Sequence, residues 1–520
     1  MSADTTPTSR SDLFRTKTIE QSIAETDEPE TQLKRRLSAL DLIVFGVGVV
    51  VGAGIFTVAG RAANSLAGPA VTISFIVAAV TCGLAALCYA EFASTVPVSG
   101  SAYTFSYATL GELVAWIIGW DLLLELLLGA SVVAQAWSAY LGVFLERLGI
   151  IIPEGIAFGS SFNLPAMLLV IVLTTLVAIG IKESMRVNMV LVAIKVFIVL
   201  FVIFAGIGFI NTANYSPFIP PSQPAATQDK SWLELPLLQV VTGQTPAVFG
   251  VMGIFAAASL VFFAFIGFDV VATTAEESKN PQRDLPIGII GSLTICTILY
   301  VAVSLVITGM QPYNQIAPSA SLAKAFEAVG KDGYATLIAA GAVAGLTTVV
   351  MTLIIGASRV TFAMCRDWLL PASWGTTNAK TGTPVKITVA LGTLIMLVAG
   401  FTPVVKLEEM VNIGTLTAFF LVSLAVPVLR KRRPDLKRAF KVPGSPVVPW
   451  LAAAACLYLM ITLPVETWLR FIVWMALGFA IYFLYSRHHS RLAVGARDVP
   501  APDYSHPGPH STSGDSPVHD

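Results

Sequence analysis

The sequence predicts an all-α integral membrane protein of twelve transmembrane helices built on an inverted repeat, and three observations carry that expectation. Only 12% of the residues are charged and 55% are hydrophobic, whereas about a quarter of an ordinary soluble domain is charged. Twelve apolar segments are long enough to cross a hydrocarbon core about 30 Å thick. Two of them, the first and the sixth, are interrupted by glycine.

The segments lie near 38–62, 69–93, 112–144, 164–182, 187–210, 247–275, 285–310, 333–365, 384–402, 408–430, 446–464 and 468–486. Residues 1–36 are polar and rich in Ser, Thr and acidic groups, without the short apolar core and small-residue cleavage site of a signal peptide, and read as a disordered cytoplasmic tail. Residues 37–210 hold the first five spans, 211–246 form an extracellular loop, and 247–430 hold the next five. Residues 431–486 supply a basic loop and the last two helices. The stretch 487–520, with Pro, Ser, His and Gly, reads as a second disordered cytoplasmic tail.

The first segment carries Gly46, Gly48, Gly52 and Gly54 where a lipid-facing helix favours Leu or Ala. Two readings are open. Glycine at a four-residue spacing lets helices pack closely. A helix broken there instead exposes backbone N–H and C=O groups at the membrane midplane, which is tolerated only where they are buried in protein or line a cavity for a small polar solute. The sixth segment repeats the defect at Phe265-Ile266-Gly267-Phe268-Asp269. Five spans separate the two, an odd number, so the second copy enters the membrane upside down relative to the first. An inverted repeat brings its two broken helices together at the midplane.

Orientation follows from the basic residues. Lys34 to Arg36, Lys182 with Arg186, Lys279 with Arg283, Arg366 with Lys380 and Lys386, and Arg430 to Lys441 fall in alternate loops. The positive-inside rule places those loops and both termini in the cytoplasm. The five cysteines lie in or beside apolar segments without a C-x-x-C pair, and the five histidines all lie in the C-terminal tail, so neither a disulfide framework nor a metal or haem site is expected. Gly46-x-Gly48-x-x-x-Gly52 has the wrong spacing for a dinucleotide fingerprint, and no phosphate-binding loop occurs. No cofactor is expected, neither ATP nor NAD is implied, and energy must come from an ion gradient or from the solute's own.

Gly52-Ala53-Gly54-Ile55-Phe56, Tyr89-Ala90-Glu91, Pro97-x-Ser99-Gly100-Ser101-Ala102-Tyr103, Gly119-Trp120-Asp121 and above all Glu276-Glu277-x-Lys279-Asn280-Pro281-Gln282-Arg283-Asp284-Leu285-Pro286 resemble the amino acid–polyamine–organocation permeases, in particular the cationic amino acid transporter branch and its bacterial relatives. The resemblance runs from about 37 to 486. It implies a leucine-transporter-like fold, five plus five helices followed by two peripheral ones, in a plasma-membrane protein that carries amino acids and is not an enzyme. The expected partners are an L-amino acid, a proton and the lipid bilayer, with no nucleic acid and no nucleotide.

An amino acid zwitterion needs donors for its carboxylate and acceptors for its ammonium. The start of a half-helix offers free N–H groups and a positive dipole end, so the backbone of Ala53, Gly54 and Ile55 suits the carboxylate. Carbonyls freed before a break suit the ammonium, and the resemblance assigns these to Val50, Phe263 and Ile266. Ala53 stands where many relatives have a hydroxyl, which removes a side-chain contact and leaves the backbone. On this reading Gly54→Leu abolishes binding and leaves folding largely intact.

Lys195 lies nine residues from Arg186, hence about 13 Å deep, too far for its ammonium to reach the interface. It must be paired, hydrated or able to lose its proton. The resemblance to proton-driven members implies a coupling role for Lys195, with its ammonium on carbonyls of the first helix, at Gly48 and Val51, and close to Thr347 and Thr348 of the eighth. Asp121 and Glu125 are one helical turn apart and share a face. The resemblance places Glu125 beside the substrate, and Leu346 at a position that is small in animal cationic transporters. A bulky Leu346 blocks a long cationic side chain from Glu125, which favours small and medium neutral L-amino acids over arginine, lysine or ornithine. A cationic amino acid transporter or an amino acid exchanger remains the alternative. A channel needs a polar pore lining and an enzyme needs convergent catalytic groups; neither pattern is present.

Overall fold

The computed structural model describes residue 15 and residues 37–95, 101–180, 185–224, 231–243, 247–378, 382–434, 436 and 438–494. Most of both tails and residues 97–100 of the Pro97–Tyr103 motif lie outside the described residues, as do Lys182 and Lys380.

The described residues are helical almost throughout. The principal helices are α1 (Ala39–Val50), α2 (54–67), α3 (Val71–Thr95), α4 (Ser101–Thr109), α5 (Glu112–Arg147), α6 (Leu164–Ala178), α7 (Met185–Ile207), α8 (Gly250–Val261), α9 (Pro281–Met310), α10 (Ser321–Ala328), α11 (Asp332–Arg366), α12 (Val385–Phe401), α13 (Val404–Arg432), α14 (Val447–Ile461) and α15 (Val465–Ile481). Eight helical runs among the described residues are long and apolar enough to cross a membrane, and α1, α6, α12 and α14 are shorter apolar helices. The difference from the twelve segments has a physical origin. The first segment is split at its break. The helical parts of α6, α12 and α14 are 15, 17 and 15 residues, about 22–26 Å at 1.5 Å per residue.

Local chemistry sets where α1 begins. Ser38 and Asp41 form a reciprocal capping box: the Ser38 hydroxyl accepts from the Asp41 N–H, and Asp41 Oδ2 accepts from the Ser38 N–H at 2.8 Å. Such a cap contributes about 1 kcal/mol. Pro281 and Pro403 similarly mark the starts of α9 and α13.

Long α5 and α11 pack along each other at the centre, with α13 also against α5 and α9 against α1 and α3. Their buried faces carry Gly and Ala, so backbones approach closely and side chains from neighbouring helices fill the space.

The C-terminal end departs from expectation. Residues 487–494, expected in a disordered tail, continue from α15 as short helices. Ser490 is fully buried and donates to Glu112 Oε2 at 2.7 Å, Tyr482 donates to Glu112 Oε1 at 3.2 Å, and Arg491 N–H donates to the Asp367 carbonyl at 3.1 Å. Arg15, in the expected N-terminal tail, accepts from the Glu112 N–H through its carbonyl at 2.8 Å. Glu112, buried at the start of α5, needs partners for its carboxylate and for its N–H; Tyr482 and Ser490 serve the carboxylate and the Arg15 carbonyl the N–H.

Candidate substrate and coupling site

The first break is a real interruption. α1 ends at Val50, and Val51 leaves the helical region with φ −71° and ψ 87° while its N–H still donates to the Val47 carbonyl at 2.9 Å. The chain turns helical again at Ala53, and a wider helical turn runs from Gly54 to Val58. No side chain caps this second start, so its first N–H groups have no intrahelical acceptor.

The second break follows α8. A 3-10 turn at Phe262–Phe265 gives way to Ile266, extended with ψ 136°, then Gly267 at φ 114°, and a 3-10 helix Asp269–Glu277. Gly267 holds a left-handed conformation that an L side chain resists. The extended Ile266 turns its carbonyl off the helix axis, while the Phe263 carbonyl accepts from the Ile266 N–H at 3.3 Å.

The two breaks pack on each other reciprocally. A Cβ placed on Gly54 would lie 2.2 Å from Ala264 Cα and 2.9 Å from its nitrogen, so the backbone after the first break rests on the backbone before the second. A Cβ on Gly267 would lie 2.8 Å from Val49 Cγ1, so the second break rests on the residues before the first. Leu37 pairs with Ser278 below α1, and the Lys279 N–H donates to the Leu37 carbonyl at 2.8 Å. At the far end the Phe249 N–H donates to the Leu66 carbonyl at 2.9 Å. Thus α1 runs beside Asp269–Glu277, and α2 beside α8.

The four glycines of the first segment therefore divide. Gly46, Gly48 and Gly54 are packing points, against Ser292, Val192 and Ala264. Gly52 alone of the four has room for a Cβ, its nearest neighbour Val349 Cγ1 being 3.5 Å away. The expectation that Gly54→Leu spares folding is corrected: no side chain fits there, because the obstacle is backbone.

Val50, Ala53, Ile55 and Phe263 are all buried around the breaks, so this conformer seals them from bulk water. The Val50 carbonyl already accepts from the Tyr300 hydroxyl at 2.7 Å, which occupies one of its two lone pairs. At the residue after Ile55, the Phe56 carbonyl accepts from Tyr140 at 2.5 Å and from Ser321 at 3.1 Å. The sequence reading did not find Tyr140 and Tyr300. A legible signal was there, since a tyrosine in an apolar span needs a partner for its hydroxyl.

Glu125 and Asp121 sit one turn apart on α5, and Asp269 follows the second break; all three are buried. Both carboxylate oxygens of Asp121 and of Glu125 lack a hydrogen-bond partner among the described residues. Gly414 of α13 leaves the space that Asp121 fills: a Cβ there would lie 2.9 Å from Asp121 Oδ1. Leu346 is fully buried on α11, the helix packed along α5.

Lys195 is buried on α7, and its Nζ donates to the Gly48 carbonyl. Its stem lies over Gly345, where a Cβ would come within 2.3 Å of Lys195 Cγ. Thr348, three residues on and hence on the same face as Gly345, donates to the Gly345 carbonyl at 2.8 Å. Val51 is buried one turn from Gly48. Thr347 is a correction: two residues from Gly345 it has turned about 200° around α11, and it accepts from Trp137 Nε1 at 3.0 Å on α5.

Residues 37–482 match the family model for amino acid permeases. The chain belongs to the amino acid permease family. Within it, the chain is 47% identical to the branched-chain amino acid permease BcaP of Bacillus subtilis, covering 92% of this chain and 99% of that one. It is 44% identical to the methylthioribose transporter of the same organism, covering 93% and 99%. To the vacuolar cationic amino acid transporter 4 of Arabidopsis thaliana it is 38% identical, covering 81% and 68%. Permeases whose names specify different solutes thus resemble this chain at similar identity.

Proposed function

We propose that this permease is a secondary active transporter that carries small and medium neutral L-amino acids across the plasma membrane, coupled to protons, by alternating access. The observation that carries the reading is the reciprocal packing of two broken helices beside Gly52, where backbone donors at a half-helix start are buried without a side-chain cap. A carboxylate answers those donors. The reading counts α1 with α2, and each of α6, α12 and α14, as spans, which makes twelve, with both termini cytoplasmic and α1–α7 and α8–α13 forming inverted repeats.

Leu346 supports a neutral substrate: it is fully buried on α11, the helix packed along α5, and on this reading its bulk denies a long cationic side chain the room to reach Glu125. The branched-chain permeases of Bacillus subtilis and of Lactococcus lactis, the latter 36% identical, agree with it. Lys195 supports proton coupling: its ammonium bonds a carbonyl of α1 only while α1 stays near α7, so protonation and helix position are linked without a metal.

The test is uptake of labelled L-leucine into proteoliposomes under an imposed pH gradient in sodium-free buffer, with unlabelled L-arginine, L-alanine and methylthioribose as competitors. Accumulation that needs the pH gradient and is blocked by L-alanine supports the reading. Competition by methylthioribose alone, which has neither carboxylate nor ammonium, overturns the substrate class. Accumulation only under a sodium gradient overturns the coupling.

A further inference from the structure

The basic stretch that follows α13 is folded back on α3. Glu91, buried near the end of α3, accepts from Arg430 Nε at 2.8 Å and again from its Nη2, faces Arg438 Nε at 3.6 Å, and accepts from the Val442 N–H at 2.7 Å. Arg430 also donates to the Val442 carbonyl at 3.2 Å, and the Phe440 N–H donates to Ser94 Oγ at 3.3 Å. Arg438 donates to the Leu436 carbonyl at 3.0 Å and to the Arg433 carbonyl at 2.7 Å. Two cations are thereby turned inward onto one buried carboxylate, and the backbone at Val442 is held beside Arg430.

Three others face out. Lys431, Arg432 and Lys441 are exposed, and none of them has a hydrogen bond or ion pair among the described residues. Lys431 and Arg432 lie three and four residues beyond Val428, hence on its face of α13, and Val428 is 38% exposed on a helix of spanning length. Lys441 is brought to the same place because its neighbour Val442 is bonded to Arg430. Across the loop, Val447, Trp450 and Leu451 are exposed at the start of α14, and an exposed tryptophan there marks the level of the lipid headgroups. The dipole at the C-terminal end of α13 accounts for cations at 431 and 432. It gives no reason to fold Lys441 back beside them.

We propose that Lys431, Arg432 and Lys441 form a binding site for the phosphate headgroup of an anionic phospholipid, whose chains lie along Val428 and Trp450. Guanidinium and ammonium groups make charge-assisted hydrogen bonds to phosphate oxygens, and each cation near an anionic lipid surface strengthens association about fivefold. Glu91 supports the site by fixing the loop that carries Lys441. The site makes no use of the solute or of the coupling ion, so it stands apart from the transport reading.

Trp450 serves as the reporter. The full chain is reconstituted in phosphatidylcholine vesicles in which one-tenth of the lipid is brominated on its chains, as phosphatidylglycerol or, in parallel, as phosphatidylcholine. Trp450→Phe gives the background of the other tryptophans. The Trp450 signal is expected to be quenched at least threefold more strongly by phosphatidylglycerol. That excess disappears when Lys431→Gln, Arg432→Gln and Lys441→Gln are combined, falls in Lys441→Gln alone, and survives in Lys386→Gln, an exposed lysine of another loop. Equal quenching by the two lipids, an excess that outlasts the triple substitution, or an equal loss in Lys386→Gln overturns the site. Loss of the excess on adding inorganic phosphate, but not sodium chloride of the same ionic strength, assigns the cations to a soluble anion and overturns it too. Uptake in the same vesicles is scored separately: no uptake of any L-amino acid, with the lipid preference intact, overturns the transport reading and leaves the lipid site standing.

Discussion

A single methyl group added at Gly54 tests whether the two broken helices bear directly on each other. Ordinary contact between carbon atoms is about 3.5–4.0 Å, and a Cβ on Gly54 would lie 2.2 Å from Ala264 Cα and 2.4 Å from Ala264 Cβ. The backbones must part by about 1.5 Å to admit it, and no rotamer change relieves the clash because the obstacle is main chain. Overpacking of this kind costs about 1–3 kcal/mol, and the parting also opens the Gly267–Val49 contact. Gly54→Ala is expected to lower the thermal stability of the purified protein and to lower L-leucine uptake, because the parted backbones displace the donors of Ala53 and Gly54. Gly52→Ala is the matched control. Its Cβ meets Val349 Cγ1 at 3.5 Å, so the added methyl fits, and reduced freedom of the unfolded chain favours it by about 0.4–1 kcal/mol. Melting followed by intrinsic fluorescence, with uptake in parallel, separates the two. Equal melting temperatures for both variants, or a Gly54→Ala protein that matches the parent, would refute the reasoning.

Lys195→Ala should keep measurable substrate binding and lose uptake driven by a pH gradient; a normal response to that gradient makes the lysine structural. Leu346→Ser should admit L-arginine as a competitor of L-leucine uptake, at a stability cost of a few kcal/mol for the lost packing, roughly that of a buried Leu→Ala change; unchanged arginine competition removes Leu346 as the filter. Tyr300→Phe deletes the bond to the Val50 carbonyl, and a stability loss of about 1 kcal/mol in denaturant unfolding is expected, with no loss arguing that the carbonyl finds another donor.

What the sequence revealed of this protein, and what it did not, divides along a physical line. Hydropathy and glycine placement are local, and they located the helices and both interruptions to within a few residues, including Val51-Gly52 and Ile266-Gly267. Contacts between distant positions carry no such signal. Nothing in one chain says that Tyr300 meets Val50, that Ala264 lies on Gly54, or that Ser490 closes on Glu112. Rotation around a helix is also hard to read: each residue turns the face by 100°, so Thr347 accepts from Trp137 of α5 while its neighbour Thr348 bonds back to Gly345 of its own helix. The tail boundary failed because Ser490 and Arg491 are polar, and polarity marks a solvated segment unless a buried carboxylate such as Glu112 is waiting for it.

The reciprocal seating of the breaks makes them a shared pivot. α1 travels with Asp269–Glu277 because Leu37 and Ser278 join them, and α2 travels with α8 because Leu66 and Phe249 do. Each pair is one lever arm, and both arms hinge where Gly54 meets Ala264 and Gly267 meets Val49. On the proposed reading a solute beside Gly52 would sit at the axle, where a small displacement of backbone would become a large swing at either end of the two arms.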